Sequence, residues 1–146
     1  KEKGVKMKIT SRWVEGRCFV ASNEQGNSVV MEGAADEGAV RRGASPMEML
    51  LMGVAGCSST DVVDIAKKQR QKITDCITTV EAERADSIPK VFTKIHIHFK
   101  VLGHDLKEES IAKAVQLSAE KYCSASIMLG KAAEISHSFE IAEADV

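Results

Sequence analysis

The chain has 146 residues, of which 44% are apolar, so it is long enough to bury one core, and we predict a single domain over residues 1–146. Twenty basic and 21 acidic residues leave a net charge of -1 with no long block of either sign, which argues against nucleic acid or a membrane surface as partner. Residues 1–8 are charged, no apolar signal region follows, and no run reaches about 18 uninterrupted apolar residues. We therefore expect a soluble, cytoplasmic protein.

The first third of the chain alternates short β-type runs with turn signals. Residues 6–14, 17–21 and 28–32 form the runs, and Gly16 and Gly26 lie between them. This spacing is typical of an antiparallel meander. Residues 33–43 mix alanine, glycine and charged residues without periodicity, which predicts a loop that carries Arg41 and Arg42.

A strong helix-start signal follows at Ser45-Pro46-Met47-Glu48. It combines a capping serine, a proline at the first helical position and a glutamate three residues after the cap. Residues 46–60 contain Glu48 as their one charged residue and leave no polar face, whereas charges return over residues 61–71. A helix that is apolar all round needs cover all round, which a small sheet cannot supply. We therefore predict a dimer in which the partner covers part of this helix.

The second half of the chain indicates a hairpin, two helices and a last strand. Residues 74–84 and 90–102 are β-type runs joined by a turn. The pattern from Asp105 to Glu108 predicts a helix with Asp105 as its cap, and residues 123–130 predict a further short helix. Residues 134–141 form the last run. The fold class expected is α+β, with antiparallel sheets packed on apolar helices.

Four cysteines are scattered along the chain without Cys-x-x-Cys spacing, which argues against a zinc knuckle and a thioredoxin-type motif. Cys18 and Cys76 fall in β-type runs and are predicted to be core or sheet residues. Cys57 lies in the central helix in a small, hydroxyl-rich context, Gly-Cys-Ser-Ser-Thr. Cys123 opens the short helix, where free backbone amides and the helix dipole favour a thiolate.

A reactive Cys57 needs a nearby cation, because burial by itself raises the pKa of a thiol. Arginine suits this role since it stays charged when buried and holds its donors rigidly. The candidates are Arg17 in the meander and Arg41 or Arg42 in the loop before the helix. Glu48 is nine residues before Cys57, too far to touch it at roughly 1.5 Å rise per residue.

His96 and His98 are placed on one face of a predicted strand, as a pair of metal ligands would be. Lys94 and Lys100 share that face and would repel a cation. We therefore expect solvated strand residues and no metal site. A metal-binding protein is the alternative that this pair leaves open.

Two motifs carry a resemblance to a known family. Residues 45–57, Ser-Pro-Met-Glu-Met-Leu-Leu-Met-Gly-Val-Ala-Gly-Cys, and residues 120–126, Glu-Lys-Tyr-Cys-Ser-Ala-Ser, resemble the two cysteine motifs of the OsmC/Ohr family of hydroperoxide reductases. The order of elements agrees over nearly the whole chain, and within the family the chain is most similar to the YhfA-like branch. The resemblance implies an OsmC-like fold and an intertwined homodimer with active sites at the interface.

The resemblance also implies a thiol-dependent peroxidase that reduces organic hydroperoxides or hydrogen peroxide. Cys57 matches the peroxidatic cysteine, which forms a sulfenic acid, and Cys123 matches the resolving cysteine, which condenses with it. An external dithiol would restore both thiols, and no metal or organic cofactor is implied. Arg17 loosely matches the family's thiolate-pairing arginine, with Arg41 and Arg42 as alternatives.

The chain departs from the family pattern at two places. Met47 stands where better-known members have an active-site glutamate, and Glu48 comes one residue later, about 100° further around the helix. Ser124 stands where a proline commonly follows the second cysteine. A second interpretation therefore stays open, in which the protein is a weakly catalytic or non-catalytic binder of small ligands, or a redox sensor.

Overall fold

The computed structural model describes residues 4, 6–34 and 37–145. Three short strands come first, then a long helix, two long strands, two shorter helices and a last strand. The chain divides into two compact units, Lys1–Leu50 and Leu51–Val146, and each is described by itself. The single domain over residues 1–146 stays a prediction.

The first unit contains a three-stranded antiparallel sheet. Its strands β1 (Thr10–Glu15), β2 (Cys18–Ser22) and β3 (Ser28–Glu32) pair in sequence order, which confirms the predicted meander. Gly16 joins the first two strands with a φ of 52°, a left-handed conformation that glycine adopts at low cost.

The long helix α1 (Pro46–Lys68) begins with the predicted capping box. The Ser45 hydroxyl oxygen accepts the backbone N–H of Glu48 at 3.1 Å, and the Glu48 carboxylate accepts the backbone N–H of Ser45 at 2.9 Å. Two amides that the first turn leaves unpaired are thereby satisfied. The prediction of the helix start is confirmed.

Replacing Ser45 tests the energetic value of this cap. We expect Ser45→Ala to lower the free energy of unfolding by about 1 kcal/mol, because the N–H of Glu48 loses its acceptor. Urea denaturation of the two proteins measures the difference. Ser45→Asp, which keeps a capping oxygen, is the control and should unfold near the wild-type midpoint; equal loss in both variants would contradict the prediction.

Only one stripe of α1 is buried in the single chain. Its fully covered positions recur every four residues: Val54, Ser58, Val62 and Ala66. Met52 is 55% exposed on another side of the helix. By length and composition α1 is also apolar enough to cross a membrane, a test that core helices of soluble proteins pass as well. The sequence predicted that all sides of α1 are buried, and in the single chain only one side of it is buried.

The second unit contains the strands β4 (Lys72–Arg84), β5 (Phe92–His104) and β6 (Glu134–Glu143), in that order across the sheet. Strands β4 and β5 pair antiparallel and confirm the predicted hairpin. Strand β6 pairs parallel to β5, so the expectation of purely antiparallel sheets is wrong for this strand. A helical connection returns the chain to the start of β5, and such a crossover joins parallel strands.

The connection between β5 and β6 consists of α2 (Glu108–Leu117), a π-helical turn (Ser118–Tyr122) and α3 (Ser124–Leu129). The prediction of Asp105 as the cap of α2 is wrong, because Lys107 occupies the cap position and no side chain caps the helix. Asp105 has a left-handed φ of 50°, which aspartate tolerates in a turn. The residue ends the strand and does not begin the helix.

The core of the second unit follows the alternation of β5. Every second side chain is buried: Ile95, Ile97, Phe99 and Val101. Helix α2 contributes a further buried set, Ile111, Ala114 and Val115. This core anchors the helical connection in which Cys123 lies.

Candidate active site

The structure brings Cys57 and Cys123 together in the second unit. Cys57 lies on α1, and Cys123 lies at the junction between the π-helical turn and α3, where it is the N-cap residue. Both thiols are free, and the hydroxyl oxygen of Ser58, the residue after Cys57, lies 3.1 Å from the Cys123 sulfur. Each thiol shifts the pKa of the other. Two predicted residues from distant parts of the chain are therefore neighbours in the fold.

Cys123 is completely buried, and polar groups surround its sulfur. Its sulfur accepts the backbone N–H of Ser126 at 3.3 Å and lies 3.1 Å from the hydroxyl oxygen of Ser58. Burial raises the pKa of the Cys123 thiol, but the hydrogen bonds from Ser126, Ser58 and Cys57 outweigh it, and the pKa lies below its usual range. This surrounding favours the Cys123 thiolate.

Cys57 is partly exposed and is the weaker acid of the two thiols. Burial raises the pKa of Cys57, the backbone N–H of Ala125 opposes this rise, and Cys123 and Asp61 add to it. The surroundings therefore favour a negative charge on Cys123 over one on Cys57.

The π-helical turn is fixed to α1 by a polar contact that sequence reasoning missed. The buried Ser118 hydroxyl donates to the Asp61 carboxylate at 3.1 Å and approaches the backbone carbonyl of Ser58 at 3.5 Å. The N–H of Cys123 donates to the carbonyl of Ser118 at 2.8 Å. Ser118, Asp61 and Ser58 therefore hold the backbone of Cys123 in place, although no local pattern marks them.

The three candidate arginines and Glu48 belong to the first unit, where each has its own partner. Arg41 pairs with Glu48 at 2.8 Å. Arg42 pairs with two carboxylates, those of Glu15 at 2.7 Å and Glu32 at 2.8 Å. Arg17 donates to the backbone carbonyl of Ala34 at 2.7 Å. A role for any of them toward Cys57 stays a prediction.

Glu48 is held by the groups that surround it. Hydrogen bonds from Ser45 and Arg41 keep the pKa of its carboxyl group below the usual range. It is therefore an ionised capping residue that is paired with an arginine. Its predicted part in catalysis is not tested by these contacts.

The other two cysteines lie where the sequence predicted them. Cys18 is buried on β2. Cys76 is half-buried on β4, its sulfur 3.8 Å from the Thr78 hydroxyl, and burial raises its pKa. Both are sheet residues, as expected.

The two histidines of the His-x-His pair contact strand β6. His96 contacts Ser136 and Ser138 at 2.6 and 2.7 Å, and His98 contacts Ser138 and Glu140 at 2.7 and 2.9 Å. Both residues are half-buried on the strand face that points away from the core, as expected of partly solvated strand residues, and parallel pairing places hydroxyl and carboxylate groups beside them. Within the described residues, no three His, Cys, Asp or Glu side chains are arranged to hold a metal ion.

Comparisons with known proteins agree with this fold. A family model described as OsmC-like protein matches residues 36–138. Protein YhfA of Escherichia coli (strain K12) is 45% identical over 94% of this chain and 100% of its own length. The chain therefore belongs to the OsmC-like protein family, and it is similar to YhfA over nearly its whole length.

Two solved structures extend the similarity of fold. The OsmC-like protein from Mycoplasma pneumoniae superposes with a TM-score of 0.81 at 18% identity, over 95% of this chain and 99% of that one. The organic hydroperoxide resistance protein OhrB of Bacillus subtilis superposes with a TM-score of 0.65 at 20% identity, over 93% and 98%. The α+β, OsmC-like fold that the resemblance implied is thereby confirmed.

Proposed function

We propose that this protein is a thiol-dependent peroxidase that reduces organic hydroperoxides or hydrogen peroxide through Cys57 and Cys123. The observation that carries the proposal is the contact of Ser58, which follows Cys57 on α1, with the Cys123 sulfur at 3.1 Å, because it brings the two cysteines to one place. Each thiol also shifts the pKa of the other. Membership of the OsmC-like family supports it, and the organic hydroperoxide resistance protein OhrB, which shares the fold, suggests organic hydroperoxides as the class of compound to test.

Differences in exposure support the assignment of roles to the two cysteines. Cys57 is partly exposed, whereas Cys123 has no exposed surface. A peroxide must reach the attacking sulfur, so Cys57 is the better peroxidatic residue. The resolving sulfur needs to reach only its partner cysteine, and Cys123 meets this condition while completely buried.

The shifts in the pKa values of the two cysteines fit the step in which the disulfide forms. A resolving cysteine attacks a sulfenic acid as a thiolate, and the pKa of Cys123 is lowered by its hydrogen bonds after the opposing effect of burial. Cys57 has a raised pKa, chiefly from burial, so its attack on peroxide needs a cation. Arg17 is the proposed cation, because Arg41 and Arg42 are neutralised by carboxylates and Arg17 contacts a carbonyl.

The reaction proceeds in two balanced steps. The Cys57 thiolate attacks a peroxide oxygen, the O–O bond breaks, and an alcohol or water leaves as the sulfur becomes a sulfenic acid. Cys123 then forms a disulfide with Cys57 and displaces the hydroxyl group. An external dithiol reduces the disulfide, so the two sulfurs carry the electrons without a metal or organic cofactor. We place this reaction in a reducing cytoplasm, where thiols stay free.

The test is the loss of free thiols after one equivalent of cumene hydroperoxide is added to the reduced protein. We expect two of the four thiols to be lost rapidly, and peptide mapping without reductant to yield a linked Cys57–Cys123 peptide. Four thiols that persist for minutes would contradict the peroxidase. The dimer interface would then be searched for a bound small molecule, as a ligand binder requires.

We also propose that the protein is a homodimer in which the partner covers the open side of α1. Met52 is 55% exposed on that helix, and Trp13 is 68% exposed on β1, so large apolar side chains are left uncovered in one chain. Sedimentation velocity at micromolar concentration should give twice the mass of one chain. Sedimentation as a monomer at that concentration would contradict the proposal.

A further inference from the structure

Ser58 is a hydroxyl residue in the middle of α1, and its side chain is directed differently from those of its two neighbours. The hydroxyls of Ser59 and Thr60 donate to the backbone carbonyls four residues earlier, at 2.6 and 2.8 Å. This is the usual partner of a hydroxyl within a helix. The Ser58 oxygen instead lies 3.1 Å from the Cys123 sulfur.

Ser58 and Cys123 are both completely buried. A buried hydroxyl is unfavourable unless it has a partner, and among the described residues the Cys123 sulfur is the one side-chain partner of the Ser58 hydroxyl. A thiol is a weak acceptor, whereas a negatively charged sulfur is a strong one. The pair therefore gains most from its contact when Cys123 is a thiolate.

The backbone carbonyl of Ser58 also helps to fix the position of Cys123. The Ser118 hydroxyl approaches the Ser58 carbonyl at 3.5 Å, and the Ser118 carbonyl accepts the N–H of Cys123 at 2.8 Å. Removal of the Ser58 hydroxyl leaves this carbonyl in place. A substitution to alanine therefore tests the hydroxyl separately from the backbone support.

We propose that the Ser58 hydroxyl is a catalytic hydrogen-bond donor that holds Cys123 as a thiolate for closure of the disulfide. The role rests on the proposed peroxidase function and deepens it. The Cys123 sulfur attacks the sulfur of the Cys57 sulfenic acid, the S–S bond forms and the S–O bond breaks. Cys123 is oxidised, Cys57 is reduced, and hydroxide leaves and takes a proton from solvent.

The first measurement follows the sulfenic acid in the full chain carrying Ser58→Ala. After one equivalent of cumene hydroperoxide, samples are quenched at intervals with dimedone, which traps sulfenic acid. We expect the sulfenic acid to persist about tenfold longer than in the wild type, because one hydrogen bond to a charged sulfur is lost. Oxidation of Cys57 should keep its rate, and Ser59→Ala is the matched control.

The second measurement does not need any peroxide. Titration of protein labelled with ¹³C at the cysteine Cβ follows each of the four thiols by NMR, and Ser58→Ala should raise the pKa of Cys123 by about one pH unit. Cys57 and Asp61, which lie near this site, are the same in both proteins, and the Cys57 thiol is followed in the same titration. Ser59→Ala should leave the pKa of Cys123 unchanged.

The two measurements separate the failure of this proposal from failure of the proposed function. A pKa of Cys123 that does not move, or a sulfenic acid that closes at the wild-type rate, overturns the role of Ser58 while leaving the peroxidase intact. A raised pKa in a protein whose thiols do not react with peroxide overturns the peroxidase and any catalytic role with it. Unchanged thermal unfolding of Ser58→Ala shows that the comparison is made on folded protein.

Discussion

Cys57→Ser is expected to abolish reduction of cumene hydroperoxide, with a loss of turnover of at least about a thousandfold. A serine hydroxyl stays protonated near neutral pH and is not oxidised by peroxide, so the first step has no nucleophile. Consumption of peroxide is measured with an excess of external dithiol. The change in side-chain size is small, and Cys57 is partly exposed, so the fold should be retained.

Cys76→Ser is the matched control for this loss. Cys76 is also a half-buried cysteine of the second unit, but it lies on β4 beside Thr78 and contacts neither thiol of the site. We expect its turnover to stay within about twofold of the wild type. Turnover that survives Cys57→Ser, or is lost on Cys76→Ser, would contradict the assignment of the reactive thiol.

A helix-cap motif in the sequence predicted the start of a helix correctly at one of two places. Two segments carry the same cap pattern, Ser45 to Glu48 and Asp105 to Glu108. The first forms a reciprocal capping box. The second does not, because Asp105 adopts a left-handed φ at the end of β5 and the helix begins three residues later. A cap motif thus predicts a helix start only where the preceding chain can enter it.

The direction of β6 shows a different limit. The composition of residues 134–141 predicted a strand correctly, and the strand spans Glu134–Glu143. Its pairing with β5 depends on the path of the whole connection through α2 and α3, which no window of sequence contains. The contacts of His96 with Ser136 and Ser138 depend on the same pairing, and the sequence could not predict them.

Part of the candidate site could also be predicted from the sequence, and part of it depends on tertiary packing. The resemblance of the two motifs predicted that Cys57 and Cys123 belong together, and the structure brings Cys123 within 3.1 Å of Ser58, the residue after Cys57. Three consecutive hydroxyl residues follow Cys57, and the sequence does not distinguish among them. The structure does, because Ser58 reaches Cys123, whereas the hydroxyls of Ser59 and Thr60 donate to carbonyls of their own helix. Ser59 also contacts Thr78 on β4 at 2.6 Å. Tertiary packing decides this, and it also brings Ser118 to Asp61.

Cys123→Ser is expected to retain the oxidation of Cys57 by peroxide and to prevent formation of the disulfide. Cys57 should still consume about one equivalent of peroxide, since its sulfur is unchanged, but the resulting sulfenic acid has no thiol to form a disulfide with. Turnover with an external dithiol should fall steeply, by at least about tenfold. Dimedone trapping followed by mass spectrometry of the Cys57 peptide measures the sulfenic acid.

Cys123→Ser differs from Cys57→Ser because it should still consume one equivalent of peroxide, and a loss of stability would not produce this result. A misfolded protein would lose the consumption of the first equivalent of peroxide as well, whereas Cys123→Ser should retain it. Cys18→Ser is the control for replacing a buried cysteine elsewhere, since Cys18 is nearly as buried on β2, and it should keep full turnover. Wild-type turnover by Cys123→Ser would mean that the external thiol reduces the sulfenic acid directly, and Cys123 would then have no place in the reaction.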